Sequence, residues 1–404
     1  MRIKPLLVAL VSAGLVAGAL SSPAVAAPTA EQSSDAVNAP AAPAVFAHPG
    51  VGVSRAQLDF VKAKVQAGAQ PWTDAYNQAK NSAYGSLSRT PTPRAVVECG
   101  PYSDPNLGCT NERQDAIAAY TDAVIWYISG DVRYAQKSIA LMDAWSATIT
   151  DHTNSNAPLQ TGWAASSWPK AAEIIKHVYG NWPNSGRFGT MLRNVYVPEI
   201  INGSNSNGNW ELTIIEALQG IGVFLEDKTI YDKALSLFAN RAPAYVYLAS
   251  DGALPKTVPS QNLNTRDKIV SYWQGQGTFV TGLTQETCRD FVHTGYGISA
   301  ISHVLETSRI QGIDLYPTYG ERLRQALGFQ AKYERQAEAV PSWLCGGSVN
   351  RGLGPITEVG YNALHTRLGI AMANTQALTE ANRPAGTNAL FVAWETLTHA
   401  ENPA

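Results

Sequence analysis

The segment from Gln285 to Tyr296 carries three side chains whose types suit one kind of chemistry. It holds Arg289, His293 and Tyr296, in a chain in which only 15% of the residues are charged. If the end of this segment is helical, His293 and Tyr296 share one face, because residues three apart are neighbours on a helix. A guanidinium, an imidazole and a phenol together can bind a carboxylate, acidify the C–H bond beside it and move the proton. These residue types indicate an enzyme that acts on uronic-acid polysaccharides. The alternative is a structural role, in which the arginine pairs with a neighbouring carboxylate and the tyrosine fills the core.

A second candidate is the polar run from Asn202 to Glu211, which is rich in asparagine and glycine. It precedes a helical pattern that extends from Leu212 to Leu225. A helix N-terminus presents free N–H groups and the positive end of the helix dipole, so Asn209 is placed to donate to an anion. The alternative is a polar loop in which Asn209 is only the N-cap of the helix.

Aromatic residues beside small residues in two further loops resemble the platforms on which sugars stack. Packing of these aromatics at the edge of a helix is the alternative. An arginine in the loop after Cys345 is either a further uronate contact or simply exposed to solvent. The candidate substrate contacts are Asn207, Trp210, Trp163, Tyr272, Trp273 and Arg351.

Other well-known sites are not found in the sequence. There is no G-x-S-x-G elbow, no H-E-x-x-H motif, no phosphate-binding P-loop and no EF-hand loop. The seven histidines are scattered, and no Cys/His spacing resembles a zinc site, so we expect no metal and no cofactor. Glycoside hydrolysis needs two carboxylates, but no spacing selects a pair among Asp115, Glu211, Glu216, Glu286 and Asp290. A formal net charge of −2 shows no excess of basic residues of the kind that binds nucleic acid.

The N-terminus has the pattern of an export signal. Residues 1–26 combine a basic start, an apolar stretch over 6–20 and a small-x-small cleavage pattern at 24–26. The apolar stretch is shorter than the roughly 20 residues that span a bilayer. We therefore expect a secreted or periplasmic protein with no membrane attachment after cleavage, an Ala/Pro-rich linker over 27–46, and one catalytic domain over 47–400.

Export also makes the four cysteines informative, because an oxidising compartment favours disulfides. Four cysteines allow three pairings. A Cys99–Cys109 bridge would staple a turn-rich loop. Cys288 and Cys345 are then left to form a second bridge, which would fix the Arg289 segment.

The apolar periodicity of the remaining chain is mostly helical. Residues 112–128 and 132–148 form the clearest pair, broken by Ser129-Gly130-Asp131 as in a helical hairpin. Further helical patterns cover 168–179, 186–201, 210–226, 228–240, 295–309, 316–335, 357–377 and 384–398. Without a repeat of fixed length, such pairs favour an all-α fold, an (α/α) toroid or incomplete barrel of antiparallel helical hairpins.

From about residue 50 to 398 the chain resembles the alginate lyase family of helical-toroid polysaccharide lyases. The resemblance is carried by Ala-Ala-Tyr…Trp-Tyr-Ile-Ser-Gly-Asp…Tyr-Ala at 118–135, Asn-Gly-Asn-Trp-Glu-Leu at 207–212 and Gln-Glu-x-x-Arg-Asp-x-x-His-Thr at 285–294. It implies a toroid whose cleft binds a uronate polymer and cleaves it by β-elimination. In that reaction the C5 carboxylate is neutralised, the C5 proton is removed and the leaving O4 is protonated, which gives a 4,5-unsaturated uronate end.

The resemblance also implies roles for four residues. Asn209 matches the amide that neutralises the carboxylate, and Arg289 matches the arginine that binds the substrate. Tyr296 matches the tyrosine that serves as base, acid or both. A free phenol titrates near 10, so Arg289 and His293 would have to favour the phenolate. His293 is the competing base, because an imidazole titrates nearer neutrality.

Two positions depart from the family pattern. Trp210 follows the asparagine where members acting on alginate often carry histidine, and Gly295 precedes the tyrosine where the best-known members carry histidine. The identity of the polymer substrate therefore stays open between alginate, glucuronan and another uronan. Two other functions also stay open: an (α/α)-barrel glycoside hydrolase working through Glu286 or Asp290, and a non-catalytic carbohydrate-binding toroid. In each case we expect a monomer whose partner is an acidic polysaccharide.

Overall fold

The computed structural model describes residues 39–404. The predicted signal peptide and the first part of the predicted linker lie outside these residues. The helices are α1 Arg55–Gln66, α2 Trp72–Asn81, α3 Cys109–Ser129, α4 Val132–Ser146, α5 Ala157–Ile174, α6 Ser185–Met191, α7 Val197–Ile200, α8 Gly208–Phe224, α9 Lys228–Tyr245, α10 Arg266–Tyr272, α11 Phe291–Ile310, α12 Tyr316–Glu334, α13 Glu358–Tyr361, α14 Ala373–Asn382 and α15 Glu395–His399. Turns of π-helix over Ile175–Tyr179, Leu192–Tyr196 and Asn362–Arg367 follow α5, α6 and α13.

The helices are arranged as an incomplete double ring. Helices α3, α5, α8 and α11 contact one another in succession, and α11 continues through α13 and α15 to α1, which contacts α3. Outer helices α4, α9 and α12 pack on α3, α8 and α11 respectively. Helices α3, α5, α8 and α11 are buried almost all round, as a helix in the centre of a large core must be, whereas the outer ones bury one face. The predicted all-α toroid of helical hairpins is confirmed.

A small sheet stands beside the start of α3. Its strands β1 Val96–Cys99, β2 Asn106–Leu107 and β3 Asp151–Thr153 lie in the order β2-β1-β3. Strand β1 pairs antiparallel with β2 and parallel with β3. These strands hold the loop between Cys99 and Cys109 and the chain that enters α5, and both of these segments border the cleft described below.

Local signals fix several helix ends. Ser54 caps α1 through a capping box with Gln57, as the polar residue before the apolar pattern predicts. The prediction of a helix over 384–398 is wrong, because only Glu395–His399 is helical there. Upstream, the Asn388 side chain accepts from the N–H groups of residues 390–392 and turns the chain instead.

The folded part of the chain begins before residue 47. The Ala42 N–H donates to the Asp232 carboxylate, and Phe46 is buried with its ring 5.4 Å from the ring of Tyr231. Residues 39–46, assigned to the linker on composition, therefore lie against the α9 region. Within the part of the chain that the structure describes, no helix is both long and apolar enough to span a bilayer.

Candidate active site

A cleft of about 580 Å³ opens where the ends of α5, α8 and α11 meet. Its lining is aromatic and polar, and it includes all three side chains of the predicted arginine, histidine and tyrosine cluster. The lining residues are Pro101, Tyr102, Asn156, Leu159, Trp163, Asn205, Ser206, Asn207, Trp210, Tyr272, Arg289, His293, Tyr296 and Leu390.

The first turn of α11 orients the imidazole. Asp290 is the N-cap of this helix, and its carboxylate accepts from the backbone N–H of His293 at 2.7 Å. The same carboxylate lies 2.8 Å from Nδ1 of the His293 ring. A nitrogen this close to a carboxylate carries the proton, so Nε2 of a neutral His293 keeps its lone pair. This is the arrangement of a general base.

Tyr296 lies one turn further along α11, as the spacing of three predicts. Its ring centroid is 5.5 Å from that of His293 and 6.5 Å from that of Trp163. Burial and the Asp290 carboxylate raise the pKa of Tyr296, and the opposing effect of Arg113 and Arg289 is smaller. This direction is opposite to the expectation that Arg289 and His293 favour the phenolate, and it suits a phenol that donates a proton.

Arg289 occupies the turn before α11 and is a quarter exposed to the cleft. Its Nη1 donates to Glu286 at 2.8 Å, and Glu286 is its one hydrogen-bond partner among residues 39–404. The remaining N–H groups of the guanidinium are therefore free to bind an anion in the cleft. A guanidinium is well suited to this, because it binds a carboxylate with two parallel hydrogen bonds.

Glu286 is completely buried and joins this segment to the start of α8. Besides Arg289, its carboxylate accepts from the Asn209 backbone at 3.1 Å, from Asn209 Nδ2 at 2.7 and 2.8 Å, and from the Tyr245 hydroxyl at 3.2 Å. This linking role of Glu286 was not predicted, although its place in the Gln-Glu-x-x-Arg segment was a signal. A carboxylate that is buried and accepts this many hydrogen bonds is not placed to attack a sugar or to protonate it.

Asn209 is buried and does not line the cleft, contrary to the role that the resemblance implied. Its amide donates to Glu286, and within the described residues its Oδ1 has no partner. Of the three asparagines that line the cleft, Asn207 lies nearest to this position in the sequence. Its Oδ1 accepts from Gln285 at 3.1 Å and from Gln274 at 3.3 Å, so its Nδ2 group remains as a donor for a ligand.

The other predicted contacts divide into two groups. Trp163, Trp210 and Tyr272 line the cleft. Trp273 does not, because α10 ends at Tyr272 and the next side chain turns into the core, where it is 1% exposed and packs on Phe279. Arg351 also lies elsewhere, with its Nε donating to a backbone carbonyl of α12.

Arg113 is a candidate that sequence reasoning missed. It lies on α3 and is nearly buried behind the cleft, with its guanidinium 5.1 Å from the Trp163 ring and its Nη1 2.8 Å from Gln160. It lowers the pKa of Tyr296 against the larger effect of burial. It follows Glu112 among the polar residues of the first turns of α3, so the sequence contained no distinct signal for it.

Both predicted disulfides are present, Cys99–Cys109 and Cys288–Cys345. The first closes the loop that brings Pro101 and Tyr102 to the cleft. The second holds the residue before Arg289 against the loop over 341–355. Each bridge therefore fixes one wall of the cleft.

Gly295 explains one departure from the family pattern. A Cβ atom at this position would lie 2.3 Å from the backbone oxygen of Leu353. The histidine that the best-known members carry before the tyrosine cannot stand here unless the loop over 341–355 moves. The imidazole of this cleft comes instead from His293, on the same face of α11 as the tyrosine.

The fold and the cleft together define a carbohydrate-active enzyme of the (α/α) toroid class. The profile of the alginate lyase family matches residues 59–340, well over half of the chain. The chain therefore belongs to the alginate lyase family and is a polysaccharide lyase. None of the curated proteins matches its sequence significantly.

Solved structures of alginate lyases share the fold. Alginate lyase A1-III from Sphingomonas species A1 is 16% identical, with a TM-score of 0.59 over 88% of this chain and 97% of that chain. A histidine-to-alanine variant of A1-III complexed with tetrasaccharide is also 16% identical, with a TM-score of 0.56 over 88% and 96%. An alginate lyase from Bacteroides ovatus is 14% identical, with a TM-score of 0.53 over 87% and 99%.

Proposed function

We propose that this lyase is secreted and cleaves a uronic-acid polymer, alginate or a related uronan, in the cleft at the start of α11. The observation that carries the proposal is the convergence of an arginine with unused N–H groups, an imidazole with a free Nε2 and a phenol on one aromatic-lined cleft. Two disulfides and the export pattern of residues 1–26 support secretion.

The first step is neutralisation of the substrate carboxylate. Arg289 binds it through the N–H groups that do not contact Glu286, and Asn207 donates through Nδ2. A positive charge and a fixed donor at this carboxylate stabilise the extra electron density that develops when the adjacent C5–H bond breaks. Trp163, Trp210 and Tyr272 supply flat faces for the sugar rings on either side.

The second step is the elimination itself. His293 Nε2 takes the C5 proton, the C5–H electron pair becomes the C4–C5 double bond, and the C4–O4 bond breaks. The departing O4 takes the phenolic proton of Tyr296. The imidazolium and the phenolate that result are neighbours on one helix face, so return of the proton from His293 to Tyr296 restores both groups.

The surroundings of the two side chains support this division of roles. Asp290 holds the His293 ring with Nδ1 protonated, which leaves an acceptor facing away from the helix cap. The raised pKa of Tyr296, caused first by burial and then by Asp290, favours a group that gives up its proton only as O4 leaves. Arg289 stabilises the phenolate that follows.

The test is a comparison of polymannuronate, polyguluronate, alginate and glucuronan as substrates. Each elimination creates a double bond conjugated to the carboxylate, so ultraviolet absorbance should rise with time for at least one polymer. Arg289→Ala should lose this activity, and Arg351→Ala is the matched control, an arginine outside the cleft. New reducing ends without absorbance would indicate a hydrolase, and polymer binding with neither product would indicate a binding protein; either result contradicts the proposal.

A further inference from the structure

Two histidines and a glutamate meet at the far end of α5, in a place that the proposed reaction does not use. They are His48 on the N-terminal segment, Glu173 in the last turn of α5 and His177 in the π-helical turn that follows. One ligand atom of each lies within 4.8 Å of the others. Trp163 and Glu173 are ten residues apart on α5, so this cluster is about 15 Å along the helix from the cleft.

The glutamate is buried without enough partners. Its side chain is 1% exposed. Its Oε2 accepts from the Gly50 N–H at 3.0 Å and lies 2.8 Å from His48 Nδ1. Its Oε1 is buried and has no hydrogen-bond partner among residues 39–404, and the same is true of Nε2 of His177. A buried carboxylate oxygen without a partner lowers the stability of the fold. A cation bound beside it would remove that cost.

The two orphan atoms face each other at a separation that suits a metal. Glu173 Oε1 and His177 Nε2 are 3.6 Å apart, which is too long for a good hydrogen bond. Two ligands that are each about 2.0–2.1 Å from a tetrahedral zinc ion lie about 3.3–3.5 Å apart. The separation therefore needs only a few tenths of an ångström of adjustment.

The second imidazole stacks on the first, so the His48 ring must turn before both rings can share one ion, because an imidazole nitrogen binds a metal in the plane of its ring. The rings of His48 and His177 are parallel within 6°, with centroids 3.9 Å apart. A further carboxylate stands at the open side, where Glu226 Oε1 lies 3.7 Å from His48 Nε2 and its side chain is 60% exposed. Three protein ligands from this cluster thus leave a fourth position for Glu226 or water.

We propose that His48, Glu173 and His177 form a site for a divalent transition metal, with zinc as the best fit. Two imidazoles and one carboxylate are a ligand set that zinc takes in proteins. The ion would tie the N-terminal segment to the end of α5 and, through Glu226, to the turn after α8. Its role is structural, because the site is remote from the cleft.

Zinc binding to the untagged chain tests the site. After dialysis against a chelator, titration with zinc chloride followed by calorimetry should give one ion per chain, and zinc should raise the midpoint of thermal unfolding. His177→Ala should weaken binding by more than the roughly 10- to 100-fold that loss of a residue supporting a ligand costs. His365→Ala is the matched control, because His365 lies outside the cluster and contacts the Ile370 carbonyl.

The outcomes separate cleanly. One zinc ion in the unmodified chain and in His365→Ala, with none in His177→Ala, supports the site. No zinc binding to the unmodified chain overturns it, as does binding that both His177→Ala and His48→Ala leave unchanged. His48→Ala also serves if His177→Ala does not fold, since His48 lies on the N-terminal segment rather than in a helix. Neither result depends on which polymer the cleft cleaves.

Discussion

Asn207 and Asn209 are two residues apart, yet the structure gives their amides different tasks. Asn207 lines the cleft with a free Nδ2 donor, so Asn207→Ala should remove one contact to the substrate carboxylate. It also removes an acceptor of Gln285 and Gln274, but both amides keep the Tyr272 carbonyl as a partner. Loss of one fixed donor to developing charge costs about 10²- to 10³-fold in kcat, or about 2.7–4 kcal/mol. The free energy of unfolding should stay close to that of the unmodified protein.

Asn209→Ala should act in the opposite way. Its Nδ2 donates to both oxygens of the buried Glu286 carboxylate. A hydrogen bond to a charged group contributes about 1.5–3 kcal/mol, so the free energy of unfolding should fall by about 2–4 kcal/mol. The backbone of residue 209, Tyr245 and Arg289 still donate to Glu286, so the buried carboxylate keeps three donors and the fold stays intact.

Two measurements on each variant decide the matter. Initial rates come from the absorbance of the new double bond, and free energies of unfolding come from urea titration followed by circular dichroism. Asn202→Ala is the matched control from the same polar run, because Asn202 is exposed and does not line the cleft, and it should keep most of its rate. If Asn209→Ala loses turnover at unchanged stability while Asn207→Ala is fully active, the assignment of the two amides is refuted.

Three further predictions concern the proton transfers, one buried acid and one disulfide. Tyr296→Phe should abolish turnover but retain polymer binding, and His293→Ala should lose about 10²- to 10⁴-fold in rate, partly restored by added imidazole; an active His293→Ala would assign both transfers to Tyr296. Burial raises the pKa of Asp122 to about 8, so between about pH 4 and 8 the folded protein holds a proton that the unfolded chain releases. Stability should therefore fall by about 1.4 kcal/mol per pH unit on this account, and Asp122→Asn should remove that part of the slope in urea unfolding; equal slopes would contradict it. Replacing Cys288 and Cys345 by serine removes a cross-link that spans 57 residues and should cost about 4 kcal/mol of chain entropy, again measured in urea, whereas an unchanged midpoint would show that the bridge is not formed.

The helix that carries His293 and Tyr296 was predictable because its signals are local. His293 and Tyr296 share a face of α11 on spacing alone, and the cap that orients the imidazole is Asp290, three residues before it. The hairpins of the toroid were predictable for the same reason, since the 3.6-residue period of the apolar side chains is a local pattern.

The features that sequence reasoning missed depend on partners far apart in the chain. Asn209 turns inward because Glu286, 77 residues later, accepts its amide. No spacing near Asn209 contains that information. The cluster of His48 and His177 was also not predicted. Metal motifs are recognised from ligands that are close together in the sequence, whereas these two histidines meet only when the N-terminal segment packs on α5.

The position of the imidazole shows how one family site tolerates a change of residues. Neighbouring positions on a helix point about 100° apart, so position 295 faces away from Tyr296, toward the loop over 341–355. The Leu353 carbonyl lies so close to Gly295 that any side chain there would displace it. Position 293 is on the face of Tyr296, and Asp290 at the helix cap fixes its ring. An imidazole supplied from 293 rather than 295 therefore still reaches the cleft, and the loop is free to close against the glycine and carry Cys345 to its disulfide with Cys288.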